Sequence, residues 1–149
     1  MHVTGQHRFQ TTPAQIAKAL TNPQALARCI PKCTGLSGSL SEGFAFEMHH
    51  KVGPVPINLK GNILVREEKP DDHYIVSITG SNKITGTLEC TVALVLEAAE
   101  AGTELSYTLE SDSTIVENLF GRKRISHFVQ TGIRHFMDRL ESHILFEPV

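Results

Sequence analysis

The sequence predicts an α+β domain: a curved antiparallel sheet of seven strands, two short helices after the first strand, and one long C-terminal helix. Three observations predict it. From Ile84 to Leu96, and again from Leu105 to Leu109, apolar and polar residues alternate, the period of a strand with one buried face. After Ser113 the period changes. Ile115, Leu119, Ile125, Val129, Ile133, Phe136, Met137, Leu140 and Ile144 recur mostly at the three- and four-residue steps of a helical stripe. The predicted strands also follow one another closely, so neighbours should pair antiparallel. Strands first and a helix last is an α+β layout. The stripe is covered only if the sheet curves around it, and such a sheet leaves room for an apolar cavity between itself and the helix.

The elements follow in order. Residues 3–11 alternate weakly, with Val3 and Phe9 on one face, and form the first strand. Thr12-Pro13 starts a helix, a hydroxyl cap followed by proline at the first helical position, and Ile16, Ala17 and Leu20 form its inner face. Thr21-Asn22-Pro23 breaks that helix and starts a second through Ala27, which Ile30-Pro31 ends. Gly35 to Gly43 is a weak edge strand and turn. Phe44, Phe46, Met48 and His50 then alternate with Ala45, Glu47, His49 and Lys51. Gly53-Pro54-Val55-Pro56 is a stiff turn, and Ile57, Leu59, Ile63 and Val65 face inward on the next strand. Pro70-Asp71-Asp72 turns into Tyr74, Val76 and Ile78. Gly80-Ser81-Asn82 turns into the strand from Ile84, Ala101-Gly102 turns into the last strand, and the helix runs from about Ser113 to Phe146.

Length and composition limit the function. The 149 residues make a single domain, 1–149, large enough for a core without staples. A formal charge of −2 gives no bulk electrostatic case for nucleic acid. The first twelve residues are mostly polar, unlike a signal peptide, and the 3 cysteines are an odd number. The expectation is a cytoplasmic protein with reduced thiols. No apolar stretch is long enough to span a bilayer.

The shared phase of the strands and helix predicts a cavity lined by Phe44, Phe46, Met48, Ile63, Tyr74, Val76, Leu88, Cys90, Tyr107, Leu109, Val129 and Ile133. His50 joins them as either a polar anchor for a ligand head group or a partly solvated residue at a strand end. His7, Ser111 and Ser113 are the other polar residues expected on the inner face. A mainly apolar wall with a few placed polar groups is how small-molecule pockets are built. No catalytic residue is nominated, because neither histidine has a visible carboxylate partner in sequence. No metal site is expected: Cys29 and Cys33 lack zinc spacing and a second pair, and His49 and His50 point to opposite faces. Gly132 interrupts the helix stripe at a cost of about 1 kcal/mol, making space either for close packing or for a ligand. Arg122-Lys123-Arg124, beside Leu119 and Phe120, is either a solvated helix start or a contact for an anionic surface.

The order of elements resembles the helix-grip fold of the START-like (SRPBCC) superfamily. Thr21 to Gly35, TNPQALARCIPKCTG, more specifically resembles the carbon monoxide dehydrogenase G-subunit family. Asn22-Pro23, Leu26 and Ile30-Pro31-Lys32-Cys33 match that family's D-P-x-x-L…I-P-G-C run, with Lys32 in place of glycine. Lys51-Val52-Gly53-Pro54-Val55 is similar to its K-V-G-P-I turn, and Gly102-Thr103-Glu104-Leu105-Ser106-Tyr107 to its G-T-x-L-x-Y strand. The chain departs from the family where GSNKITG, Gly80 to Gly86, replaces a glycine-rich stretch, and in Ser113 to Asn118, where glycines usually precede the long helix.

The resemblance implies a binding module for a hydrophobic small molecule, a lipid or an isoprenoid quinone, with no cofactor of its own. It further implies a partner, a carbon monoxide dehydrogenase-type molybdenum hydroxylase, whose assembly or recruitment to the inner face of the membrane the protein assists through peripheral contact. The alternative from the same superfamily is a small enzyme of the polyketide cyclase type, which would need a convergent acid–base group inside the pocket. A third is a protein-binding chaperone with a closed core.

Overall fold

Proline and side-chain caps decide where the first helices begin. In the computed structural model, which describes residues 1–112 and 114–146, strand β1 (His2–Phe9) leads into α1 (Pro13–Leu20) and α2 (Pro23–Cys29). Thr12 Oγ1 accepts from Gln15 N at 3.3 Å, and Asn22 Oδ1 accepts from Gln24 N and Ala25 N at 2.9 and 3.3 Å. Each cap satisfies amide donors that the helix cannot, and is worth about 1 kcal/mol.

Six strands follow: β2 (Cys33–Ser39), β3 (Gly43–Val52), β4 (Val55–Lys69), β5 (His73–Asn82), β6 (Gly86–Ala99) and β7 (Gly102–Ser111). They form one curved sheet in the order β1-β7-β6-β5-β4-β3-β2, every pair antiparallel. Chain order is spatial order except at β1, which closes onto β7. The fold is thus the predicted α+β helix-grip architecture. The main core gathers Phe9 from β1, Ile16 and Leu20 from α1, Tyr74, Leu94, Leu96 and Leu105 from the sheet, and Met137 and Leu140 from the C-terminal helix. Burying each such side chain contributes roughly 1.5–3 kcal/mol.

Three sequence expectations need correction. The long helix is two, α3 (Thr114–Phe120) and α4 (Arg122–Phe146). Gly121, at φ 88°, donates to Glu117 O at 2.8 Å while its own carbonyl accepts from Ile125 N at 3.1 Å. It ends one helix in the left-handed conformation that suits glycine and starts the next. The β5–β6 turn lies at Lys83–Thr85, not at Gly80–Asn82. Asn82 Oδ1 accepts from the amides of Ile84 and Thr85 at 2.8 and 2.9 Å, a side-chain turn that keeps Ile84 out of the strand. Finally, β4 already begins at Val55, because Gly53 at φ 62° makes the reversal with Pro54 alone. Ser113, expected on the inner face, lies outside the described residues.

Candidate functional site

Directly paired residues in an antiparallel sheet face the same side, so the register lays out the inner face in rows. One row runs Phe44, Ile63, Ile78, Cys90, Ser111. A second runs Val65, Val76, Val92, Leu109, Val3, and a third Tyr74, Leu94, Tyr107, Gly5. Phe46 joins Leu88 across Gly61 and Gly80, and Met48 faces Leu59. The predicted strand residues therefore share one face, the face that carries the core.

Their environments differ. Phe44, Phe46, Ile63, Tyr74 and Leu109 are buried. Met48, His50, Val76, Leu88, Cys90, Tyr107, Val129 and Ile133 are only half-buried. The same holds for Leu59, Ile78, Val92, Phe128 and Phe136, which share that phase. Phase alone would have added these five to the expected lining. Along α4, Ile125 near one end and Met137 and Leu140 toward the other are buried, and the apolar stretch from Phe128 to Phe136 between them is not. Helix α4 meets the sheet chiefly at β1 and β3, near its two edges. Solvent thus reaches a band of apolar side chains between two packed regions.

Two glycines shape this band. A side chain on Gly5 would run into the Tyr107 ring, so glycine lets that ring lie across the edge strand. A Cβ on Gly132 would meet nothing within 4 Å. Close packing does not explain Gly132; the space beside it is open.

The polar residues are engaged with the fold. His50 donates from Nε2 to Pro31 O at 2.9 Å and packs edge-on against Phe128, ring centroids 5.2 Å apart. Burial holds its imidazole below the usual 6.5, opposed by the Pro31 bond and helped by the nearby Lys32 charge. Lys32, where the resembling motif has glycine, sits at φ 60°, which explains why glycine suits that position. His7 Nε2 lies 3.3 Å from Glu141 Oε1, while Glu141 Oε2 accepts from Gln10 N at 2.9 Å. The sequence hid this partner, which is 134 positions away. The carboxylate ties the end of β1 to α4. Ser111 Oγ donates to Glu89 O at 2.6 Å. Burial pushes the Cys90 thiol up to about 11, so it stays protonated and poorly nucleophilic. Tyr74 turns its hydroxyl toward the β4–β5 turn, accepting from Asp71 N at 3.0 Å.

A surface cleft of about 600 Å³ opens at the end of β1, β6 and β7, lined by Met1, His2, Glu89, Cys90, Thr91, Glu110, Ser111, Asp112 and Arg122. It shares Cys90 alone with the predicted lining. Among the described residues, no three His, Cys, Asp or Glu side chains converge as a metal site.

The sequence profile of the carbon monoxide dehydrogenase G-subunit (CoxG) family matches residues 5–145. The chain belongs to that family. Solved structures agree on the fold. A conserved protein from Geobacillus kaustophilus superposes with a TM-score of 0.84 at 19% identity, over 97% of this chain and 95% of that one. The Aha1 dimer from Colwellia psychrerythraea gives 0.66 at 14% identity, over 100% and 99%. DynU16, from the dynemicin biosynthetic locus, gives 0.62 at 16% identity, over 98% of this chain and 48% of that one. No curated protein matches the sequence significantly. Among the described residues, no helix is long and apolar enough to cross a membrane.

Proposed function

We propose that this member of the CoxG family binds a hydrophobic small molecule, a lipid or an isoprenoid quinone, between the sheet and α4. The observation that carries the proposal is the incompletely buried apolar band of Met48, Leu59, Val76, Ile78, Leu88, Cys90, Val92, Val129 and Ile133. A finished core would exclude solvent from such side chains. An apolar ligand would do so here, gaining about 25 cal/mol for each Å² removed from water. Phe44, Phe46, Ile63, Tyr74 and Leu109 would back that wall, with Tyr107 at its β7 side.

Binding is favoured over polyketide cyclase-type chemistry because both inner-face histidines are occupied. His50 holds the Pro31 carbonyl, and the carboxylate beside His7 is shared with a backbone amide. Neither forms a convergent acid–base pair aimed at the band. The family name supports a role beside a carbon monoxide dehydrogenase-type molybdenum hydroxylase, in its assembly or membrane recruitment. The protein would work from the cytoplasm with peripheral membrane contact.

The test is native purification, organic extraction and mass spectrometry. A lipid or quinone should be recovered in near-stoichiometric amount, and a hydrophobic fluorophore should be displaced by it. A protein that carries nothing and takes up no hydrophobe would favour the closed-core chaperone.

A further inference from the structure

One end of the sheet gathers the β3–β4 turn, the β5–β6 turn and the end of β7 leading into α3, as the antiparallel order requires. The start of α4 joins them: a side chain on Gly53 would meet the Arg124 guanidinium. Helix α3 has no fully buried residue. Val116 and Phe120 turn inward against Val52, Ile57 and Ile125. On the other side Ile115 and Leu119, four positions apart and so on one helix face, are 56% and 52% exposed. Ile84, at the tip of the β5–β6 turn, is 48% exposed. The same segments carry the exposed cations Lys51, Lys83, Arg122, Lys123 and Arg124. Glu117 is within 3.4 Å of Arg122, and Glu89, Glu110 and Asp112 line the cleft on the Arg122 side, so the acids gather at that side and Lys51, Lys83, Lys123 and Arg124 leave the rest of this end positive although the whole chain carries −2.

We propose that this end docks on an anionic lipid bilayer, with Ile84, Ile115 and Leu119 entering the interface and Arg122, Lys123 and Arg124 pairing with phosphate head groups. Exposed aliphatic tips on two separate segments, interleaved with positive charge, suit a surface that is apolar a few ångströms below a negative layer. An acidic protein would use the cations but leave the aliphatic side chains unmatched. The proposal deepens the ligand reading and rests on it for its purpose: a hydrophobe would pass between bilayer and apolar band beneath α3 without crossing water. Docking itself is a separate observable.

Vesicles of phosphatidylcholine and of equal parts phosphatidylcholine and phosphatidylglycerol distinguish the cases by co-sedimentation. The intact protein should bind the anionic vesicles and lose that binding in high salt. The triple substitution of Arg122, Lys123 and Arg124 to Ser, and separately Ile115→Ser with Leu119→Ser, should each weaken binding by about tenfold or more. Both variants change exposed side chains and should keep the wild-type circular dichroism and hydrophobe uptake. Uptake without vesicle binding by the intact protein would overturn docking and leave the ligand reading standing. Equal binding to neutral vesicles, or indifference to both sets of substitutions, would overturn the assigned surface. Binding of vesicles by a protein that takes up no hydrophobe would support the surface and remove its proposed purpose.

Discussion

Leu94 and Leu96 on β6 are 4% and 3% exposed, whereas Leu88, Cys90 and Val92, on the same face of the same strand, stay partly exposed. Helix α4 repeats the contrast, with Met137 and Leu140 buried and Val129 and Ile133 not. What differs is the cover. Helix α1 lays Ile16, Ala17 and Leu20 over one region, with Phe9 beside them. The other is met by Leu26 of α2 at its β3–β4 side and by α3, a seven-residue helix with no fully buried side chain. Hydrophobic phase says which way a side chain points. Whether it becomes core or the wall of a binding site depends on what fills the volume opposite.

Truncation should separate the two regions most strongly. Leu140→Ala, at a fully buried position, should cost about 2–5 kcal/mol, because the lost transfer energy is joined by a cavity. Ile133→Ala should cost about 1 kcal/mol, since solvent already reaches the site. Urea unfolding with unchanged m-values would measure both. Equal costs would mean that the band is packed core, and the comparison would fail.

Enlargement reverses the logic. Leu96→Trp should destabilise by about 1–3 kcal/mol through overpacking. Val92→Trp, two strand steps along the same face, should change stability by less than about 1 kcal/mol and block uptake of a hydrophobic fluorophore. A severe loss of stability at Val92 would show that no usable space lies beside it.

Much of this was legible in the sequence, for reasons that also mark what was not. The alternation through Leu88–Leu96, the Thr12 cap and the Thr21-Asn22-Pro23 restart are local, and local chemistry places strands and helix starts. The break at Gly121 shows in the sequence only as a six-residue step from Leu119 to Ile125, masked by the three- and four-residue steps on either side of it. Ile84 misled in the same way, continuing the β6 alternation while Asn82 folds it into a turn. The His7–Glu141 contact joins opposite ends of the chain, and no spacing rule reaches that far. For the site, phase identified the shared face of Met48, Val76, Leu88 and Tyr107. It could not separate the fully buried Phe44 and Tyr74 from the partly exposed residues, because burial depends on covering elements elsewhere in the chain.

Gly132 sharpens the comparison with a smaller effect. A methyl group there meets nothing within 4 Å, so Gly132→Ala should raise stability by about 0.5–1 kcal/mol through helix propensity and the unfolded chain. A thermal or urea midpoint that falls would mean that the open space closes in solution.

The smallest effect concerns His50, where the partly exposed band meets the turn after α2. Burial holds its folded-state pKa below the unfolded value of 6.5, with the Lys32 charge acting in the same direction. The unfolded chain therefore takes up the proton first as pH falls. The stability this group contributes is fully present above pH 6.5 and is lost as pH drops through the folded pKa. His50→Gln, which keeps a donor for Pro31 O, should flatten the fall in stability below pH 6.5 without changing it much at pH 8. The other seven histidines contribute alike in both proteins. Lys32→Gly offers a second handle. It removes the nearby cation, so an NMR titration of the His50 ring should move upward toward 6.5. It also relieves a side chain held at φ 60°, for a gain of up to about 1 kcal/mol. A His50 midpoint at or above 6.5 in the intact protein would show that water surrounds the imidazole. The packing of Phe128 against it would then be absent in solution, and the covered margin of the band would end before β3.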